Sequence, residues 1–380
     1  MMNTGRMILY AAAILATLGL EPSTGFAYEL PVGDGKVSTS AKTGYVFSCS
    51  QNFRGGGARH VGSWFKGDTW DPTQKPHVQG SIMWPNAQFS MTQDGATVDV
   101  LGNNLPLSQP TGTFPIASND PAFQFDTNPN PITSIAMSFS IPLHPYPENI
   151  PSCLSMGMIG FTITGVAFYN ALDDAGKDAA AHEVQDLCDG HPQGKGQYHY
   201  HSSSPCLPGA NQNKIVGWAL DGYPILGMVD GSGRQITNAD LDACHGREEI
   251  VSTNGRTYNY AYRITAEYPY IMGCFTGKVL EETTQSLRAS MGIPKQRNKQ
   301  SSPSQDAQHG ENAPPQRQMI ESQNGSGQQR QSLQVARSAC TSSHKGDACS
   351  FTGRDGNKLI GICNLPPRLG SGDTVCIPMQ

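Results

Sequence analysis

The chain has 380 residues, 10 cysteines and a formal net charge of −5. That length allows one large domain with a real core plus something small. The charge is uneven: residues 1–286 hold 15 Lys and Arg against 25 Asp and Glu, whereas residues 287–337 hold 7 against 3. An acidic main body excludes nucleic acid as a partner, because that needs a basic face.

The N-terminus has Arg6, an apolar run over residues 7–20, the breakers Glu21, Pro22 and Ser23, then Gly25, Phe26 and Ala27. This predicts a secretory signal peptide over 1–27. The run is shorter than the ~18 residues a spanning helix needs. No second apolar run follows, so the mature chain is expected without a membrane span, in the periplasm or outside the cell. In such an oxidising compartment the cysteines should pair. Six lie between Cys49 and Cys274 and four between Cys340 and Cys376, which suggests two separately stapled units.

Residues 28–286 read as one domain. Short apolar or alternating stretches, at Tyr45–Ser48, Gly80–Trp84, Ala96–Leu101 and Ile135–Ile141, predict strands. The proline-rich stretch 103–131 predicts a long surface loop. Residues 174–187 predict a helix, since Ala180, Val184 and Leu187 recur at helical spacing. Residues 287–337 are rich in Gln, Ser, Asn and Pro and predict a disordered linker, solvated rather than bound to an anionic surface. Residues 338–380 predict a small module held by Cys340, Cys349, Cys363 and Cys376 as two disulfides.

Two segments, 157–206 and 214–274, share features in the same order. Ile159 to Gly165 matches Val216 to Gly222, and Asp173 to Lys177 matches Asp230 to Arg234. Asp186 to Gly190 matches Asp242 to Gly246, and Tyr198 and Tyr200 match Tyr258 and Tyr260. This is read as an internal duplication. Each copy closes on a cysteine, which suggests pairs Cys188–Cys206 and Cys244–Cys274 and leaves Cys49–Cys153. Six cysteines allow fifteen connectivities, so the repeat alone makes this choice. Groups common to both copies, including Asp186, Tyr198 and Tyr200, read as scaffold. Groups in the first copy alone are candidates for chemistry: His182, Glu183, His191, His199 and His201, opposite Asn238, Ala239, Arg247, Asn259 and Ala261.

Tyr198-His199-Tyr200-His201 reads as a short strand with both histidines on one face. Two imidazoles so placed reach one ion, and His191 across a Gly-rich turn makes a third ligand. Three protein ligands with an open position is a catalytic arrangement. His182 and Glu183 resemble part of a zincin helix without its second histidine, and Glu183 suits a general base. His245 beside Cys244 is a further candidate. Structural histidines, or proton shuttling without metal, are the alternatives. Asp126 to Pro131 starts like a calcium loop, but Pro131 replaces the required glycine, so a rigid turn is expected. Trp64, Trp70 and Trp84 are expected in the core rather than on a stacking platform.

The stretch from Ala181 through His182, Glu183, Cys188, His191 and Tyr198 to His201 and Cys206 closely resembles the YHYH domain family. So do Leu220 to Ile225, where Asp221 joins the scaffold, and Tyr268 to Phe275. The resemblance runs over roughly residues 45–278. It implies export and a domain extent but no reaction, since the role of that family is not established. The fold expected is mainly β (α+β) and sandwich-like, with one or two short helices and a pseudo-twofold duplication. The function expected is an exported metal-binding protein with zinc or copper at His191, His199 and His201. It would be a metal-dependent hydrolase more than an oxidoreductase, with Glu183 and His182 catalytic and a small-molecule, glycan or peptide substrate. The alternative is a non-catalytic secreted binding or surface module.

Overall fold

The computed structural model describes residues 29–58 and 60–290, and in the C-terminal part the strands Ala348–Thr352, Lys358–Asn364 and Val375–Pro378. The expected signal peptide, the linker beyond residue 290, and Cys340 lie outside the described residues. The chain divides into two compact units, 1–299 and 300–380. In the second, the three strands form one antiparallel sheet in chain order. Cys349 and Cys363 there are buried and disulfide-bonded.

The first unit is built on an eight-stranded sheet. Its strands are β1 (Met158–Thr162), β2 (Ala167–Tyr169), β3 (Gly190–Pro192), β4 (Tyr198–Tyr200), β5 (Ile215–Ala219), β6 (Pro224–Leu226), β7 (Gly246–Thr253) and β8 (Arg256–Arg263). Their spatial order is β3-β4-β2-β1-β5-β6-β8-β7. The sheet reads the same from both edges: β1 pairs antiparallel with β5 at the centre, and each half repeats one antiparallel, parallel, antiparallel series outward. Loop hydrogen bonds repeat as well. Asp173 N–H donates to Lys177 O as Asp230 N–H does to Arg234 O, and Asp186 N–H donates to Gly190 O as Asp242 N–H does to Gly246 O. The duplication is therefore structural.

The register within it differs from the sequence alignment by two residues. Phe168 pairs with Tyr200 where Ile225 pairs with Tyr262, and His191 pairs with His199 where Arg247 pairs with Ala261. Tyr198 thus corresponds to Tyr260, Tyr200 to Tyr262, His199 to Ala261 and His201 to Arg263. The hydroxyls agree: Tyr198 donates to Asp186 and Tyr260 to Asp242.

A three-stranded sheet of Phe89–Asp94, Thr97–Gly102 and Met137–Pro142 packs on the large one, its Phe89 and Phe139 rings meeting Phe161 of β1 at 5.9 and 5.6 Å. The result is the sandwich-like, mainly β fold expected, and Val98, Val100, Met137, Phe139 and Ile141 of this layer are buried. Gly80–Trp84 forms only an isolated bridge between Ile82 and Thr111 rather than a strand. Trp64 and Trp70 are core residues. Three disulfides, Cys49–Cys153, Cys188–Cys206 and Cys244–Cys274, pair as the repeat suggested. Among the described residues no helix is long and apolar enough to cross a membrane.

Two expectations fail on local structure. The helix expected over 174–187 is a single turn, α1 (Ala179–His182). Asp178 starts it by accepting the Ala181 N–H, and Glu183 ends it in extended backbone, ψ 146°. Side chains from elsewhere take its terminal carbonyls: Gln185 bonds Ala179 O, Lys75 bonds Ala180 O, and Trp64 bonds Ala181 O. These groups satisfy what the next helical turn would have satisfied. Leu187, the third residue of the supposed apolar face, is 61 % exposed. The stretch 103–131, expected as a surface loop, is partly core. Asn104, Leu105, Gln109 and Thr111 are buried, and the Asn104 amide donates to Tyr198 O of β4. A second helix, α2 (Glu281–Ser290), carries ordered chain past the expected boundary at 286, its Thr283 and Ser286 hydroxyls donating to Ser140 O and Ser138 O.

Candidate metal centre

β3 and β4 lie side by side at one edge of the sheet, with His191 directly opposite His199. His201 follows at the end of β4 on the same face as His199, as the strand period requires. All three histidines are buried. One ring nitrogen from each lies within 4.8 Å of the others.

The hydrogen bonds fix which nitrogens are free. His199 Nδ1 stands 3.0 Å from Gln197 O, and His201 Nδ1 stands 2.6 Å from Asn170 O. A carbonyl oxygen only accepts, so both imidazoles carry their proton on Nδ1. Both Nε2 atoms are then bare lone pairs, and they face each other at 3.0 Å. The Tyr169 ring stacks on His199 at 3.8 Å and is itself held by its hydroxyl on Gln197 Oε1. His191 makes no hydrogen bond at either ring nitrogen among the described residues, although buried.

Glu183 enters from the end of α1. Its Oε2 lies 3.4 Å from His191 Nε2 and 3.5 Å from His201 Nε2, and it accepts no hydrogen bond from the described residues. Behind it, Lys75 bonds Glu183 O and Gln185 Oε1, and Asp126 Oδ2 accepts the Val184 N–H. Burial pushes the Glu183 carboxyl well above its ordinary value, reinforced by Asp173, Asp126 and Asp174. Burial lowers His191 and His199 well below theirs, with the neighbouring imidazoles adding to it, and brings His201 down to about 4. The imidazoles are therefore neutral at pH 7, the form that ligates metal.

The triad opens onto a cavity of about 300 Å³. Asp126, Asn128 and Asn130 form one wall through successive Asx turns, with Asn128 donating to Pro192 O of β3. This is the rigid turn expected of the failed calcium loop. Gly57, Asp173 and Asp174 complete the rim.

His182 does not line this cavity. The helix ends between it and Glu183, so the two side chains part: His182 Nε2 pairs with Asp34 at 2.9 Å, and its ring packs on Phe65. His245 lies in the other half, its Nε2 3.1 Å from the Thr265 hydroxyl. Asp221, in the scaffold role, accepts from Tyr262 and from the Gly277 N–H. Sequence reasoning missed Tyr169, Lys75 and Asp174. Asp174 carried a usable signal, since Gly231 stands at its place in the second copy.

At the position of the triad the second half holds Arg263, in place of His201. His201 meets Asn170 O, and Arg263 meets the corresponding Gly227 O. The guanidinium also binds Val229 O, Asn213 and both oxygens of Glu249. One half thus fills this place with a side-chain cation, and the other surrounds it with bare nitrogen lone pairs.

Residues 138–234 match the family described as YHYH protein. The match spans the whole first repeat, including the triad, Glu183, Asp173 and Asp174, and stops before Arg263. No curated protein and no solved structure shows a match to the chain.

Proposed function

We propose that this chain, whose residues 138–234 match the YHYH protein family, is an exported metal-binding protein and a metal-dependent hydrolase. His191, His199 and His201 hold one divalent ion, zinc or copper. The observation that carries this is the pair of bare Nε2 atoms at 3.0 Å, each with its Nδ1 proton fixed by a backbone carbonyl. Two lone pairs so close repel unless a cation joins them, and an imidazole whose second nitrogen donates to a carbonyl is the usual support of a metal ligand. The spacing fits: ligand atoms ~2 Å from a common ion at tetrahedral angles stand about 3.3 Å apart.

A bound ion would supply Lewis acidity. Glu183 would hold or release the proton, a part that its burial-raised carboxyl suits near neutral pH. Tyr169 fixes the plane of His199, and Lys75 fixes the backbone that projects Glu183. Export is supported by the three disulfides, which persist in oxidising compartments.

The 3.4 and 3.5 Å approaches of Glu183 favour a second reading, in which it is a fourth ligand closing a non-catalytic site. Elemental analysis separates the outcomes. Wild-type protein purified without added chelator should carry about one equivalent of metal, and His199→Ala with His201→Ala should carry none. Unchanged metal in that double variant would overturn the proposal. Glu183→Gln should keep its metal if Glu183 moves protons and lose it if Glu183 is a ligand.

A further inference from the structure

The acidic rim of the cavity names a substrate class for the same site. Asp126, Asp173, Asp174 and Glu183 line it, and no Lys or Arg does among the described residues. Asp126 uses both oxygens on backbone N–H groups, those of Asn128 and Val184. Asp173 uses one: its Oδ1 accepts from Ala175 and Lys177 at 2.8 Å each, and no described residue donates to its Oδ2. Asp174 stands exposed beside it. Glycine keeps the space next to both open. A Cβ at Gly57 would stand 2.7 Å from Asp173 Oδ2, and one at Gly56 would stand 2.9 Å from Asp174 Cβ.

The other half of the sheet is an internal control. Asp230, the counterpart of Asp173, caps Ser232 and Arg234 with Oδ1 in the same way. Its Oδ2 is met by Arg234 Nε at 3.4 Å. Lys177, the counterpart of Arg234, is exposed and makes no such pair among the described residues. One half therefore saturates this carboxylate with its own nitrogen cation, as it does the triad position with Arg263, and the other leaves it open to the cavity. A separate sign that the cavity is built for a ligand is His191, 3 % exposed, with both ring nitrogens unpartnered.

We propose that the cavity binds a small primary amine, its ammonium group held by Asp173 Oδ2 and Asp174 and its remainder directed to the triad. An ammonium supplies the donors that these oxygens lack and a charge that complements the Asp173 and Asp174 carboxylates. An anion such as phosphate meets repulsion at these two carboxylates. The cavity volume of about 300 Å³ has room for one amino sugar or a short diamine. The inference rests on the metal reading only for which end of the ligand reacts; the amine site needs no ion.

The test is calorimetric titration of the full-length mature protein with putrescine and glucosamine, against the neutral analogues 1,4-butanediol and glucose and against inorganic phosphate. The amines should bind at least about tenfold more tightly than their neutral analogues, the scale of one charge-assisted hydrogen bond. Asp173→Asn keeps the Oδ1 cap and removes the charge; it and Asp174→Asn should abolish that preference, whereas Asp230→Asn should leave it. No saturable amine binding, equal binding of amine and alcohol, tighter binding of phosphate, or an amine preference that survives both Asn variants would overturn the proposal. Metal content of the same sample, measured in parallel, reports separately on the triad, so either reading can fail alone.

Discussion

At the residue scale the site depends on where protons sit. The Nδ1 atoms of His199 and His201 are committed to carbonyls, so their Nε2 atoms are free for a ligand. His245 in the sister half is the contrasting case, a buried histidine bonded to Thr265 and outside any cluster. Burial brings it down to about 3. Unfolded, it takes a proton below about pH 6.5, while the folded state stays neutral, so its contribution falls as pH drops from there toward 3. The stability gap between wild type and His245→Gln, from urea melts at pH 7.5 and 4.5, should change by about 3 kcal/mol against the wild type. A gap that does not move with pH would show that His245 is protonated in the fold. The Tyr198 hydroxyl, donating to both oxygens of buried Asp186, is scaffold: Tyr198→Phe should cost about 1–3 kcal/mol by the same melts.

At the element scale, α1 and β4 show what a sequence displays and what it hides. The triad was legible because alternation along a strand is local: His199 and His201 must share a face. The helix was misread because its end is set from outside, by Lys75, Trp64 and Asp126, which are distant in sequence. The copies were aligned two residues out of register because Tyr258, Tyr260 and Tyr262 repeat every second position. A shift of two keeps every side chain on its face, so nothing in the pattern exposes it; only the partners of the hydroxyls do. The correction matters, because it places Arg263, not Ala261, opposite His201. Lys75→Met should uncover the ends of α1 and lower both stability and metal affinity. Its removal leaves buried carbonyls unpaired at about 1–3 kcal/mol each, and a variant that melts like wild type and holds metal equally would deny Lys75 its positioning role.

At the scale of the whole molecule, a pseudo-twofold sheet carries two halves with different fates. The second is closed by its own cation. Arg263→Met should destabilise by about 1–3 kcal/mol, because the carbonyls of Gly227 and Val229 lose their donor and Glu249 keeps only Arg247, with metal stoichiometry unchanged. Loss of metal in that variant would mean that the halves are coupled. The disulfides were legible because each repeat closes on a cysteine. Their sequence separations are 104, 30 and 18 residues. If they act by constraining the unfolded chain, removing them pairwise should cost most for Cys49–Cys153 and least for Cys188–Cys206, about 5 against about 3 kcal/mol. A reversed order in urea midpoints would point to native-state effects instead.

In the proposed centre three imidazoles share one ion. X-ray absorption spectroscopy of the zinc-loaded protein tests it most directly. Three imidazole ligands with nitrogen at ~2.0–2.1 Å and one further oxygen are predicted. Protein that takes up no stoichiometric metal, or an ion whose shell lacks imidazole scattering, would contradict it.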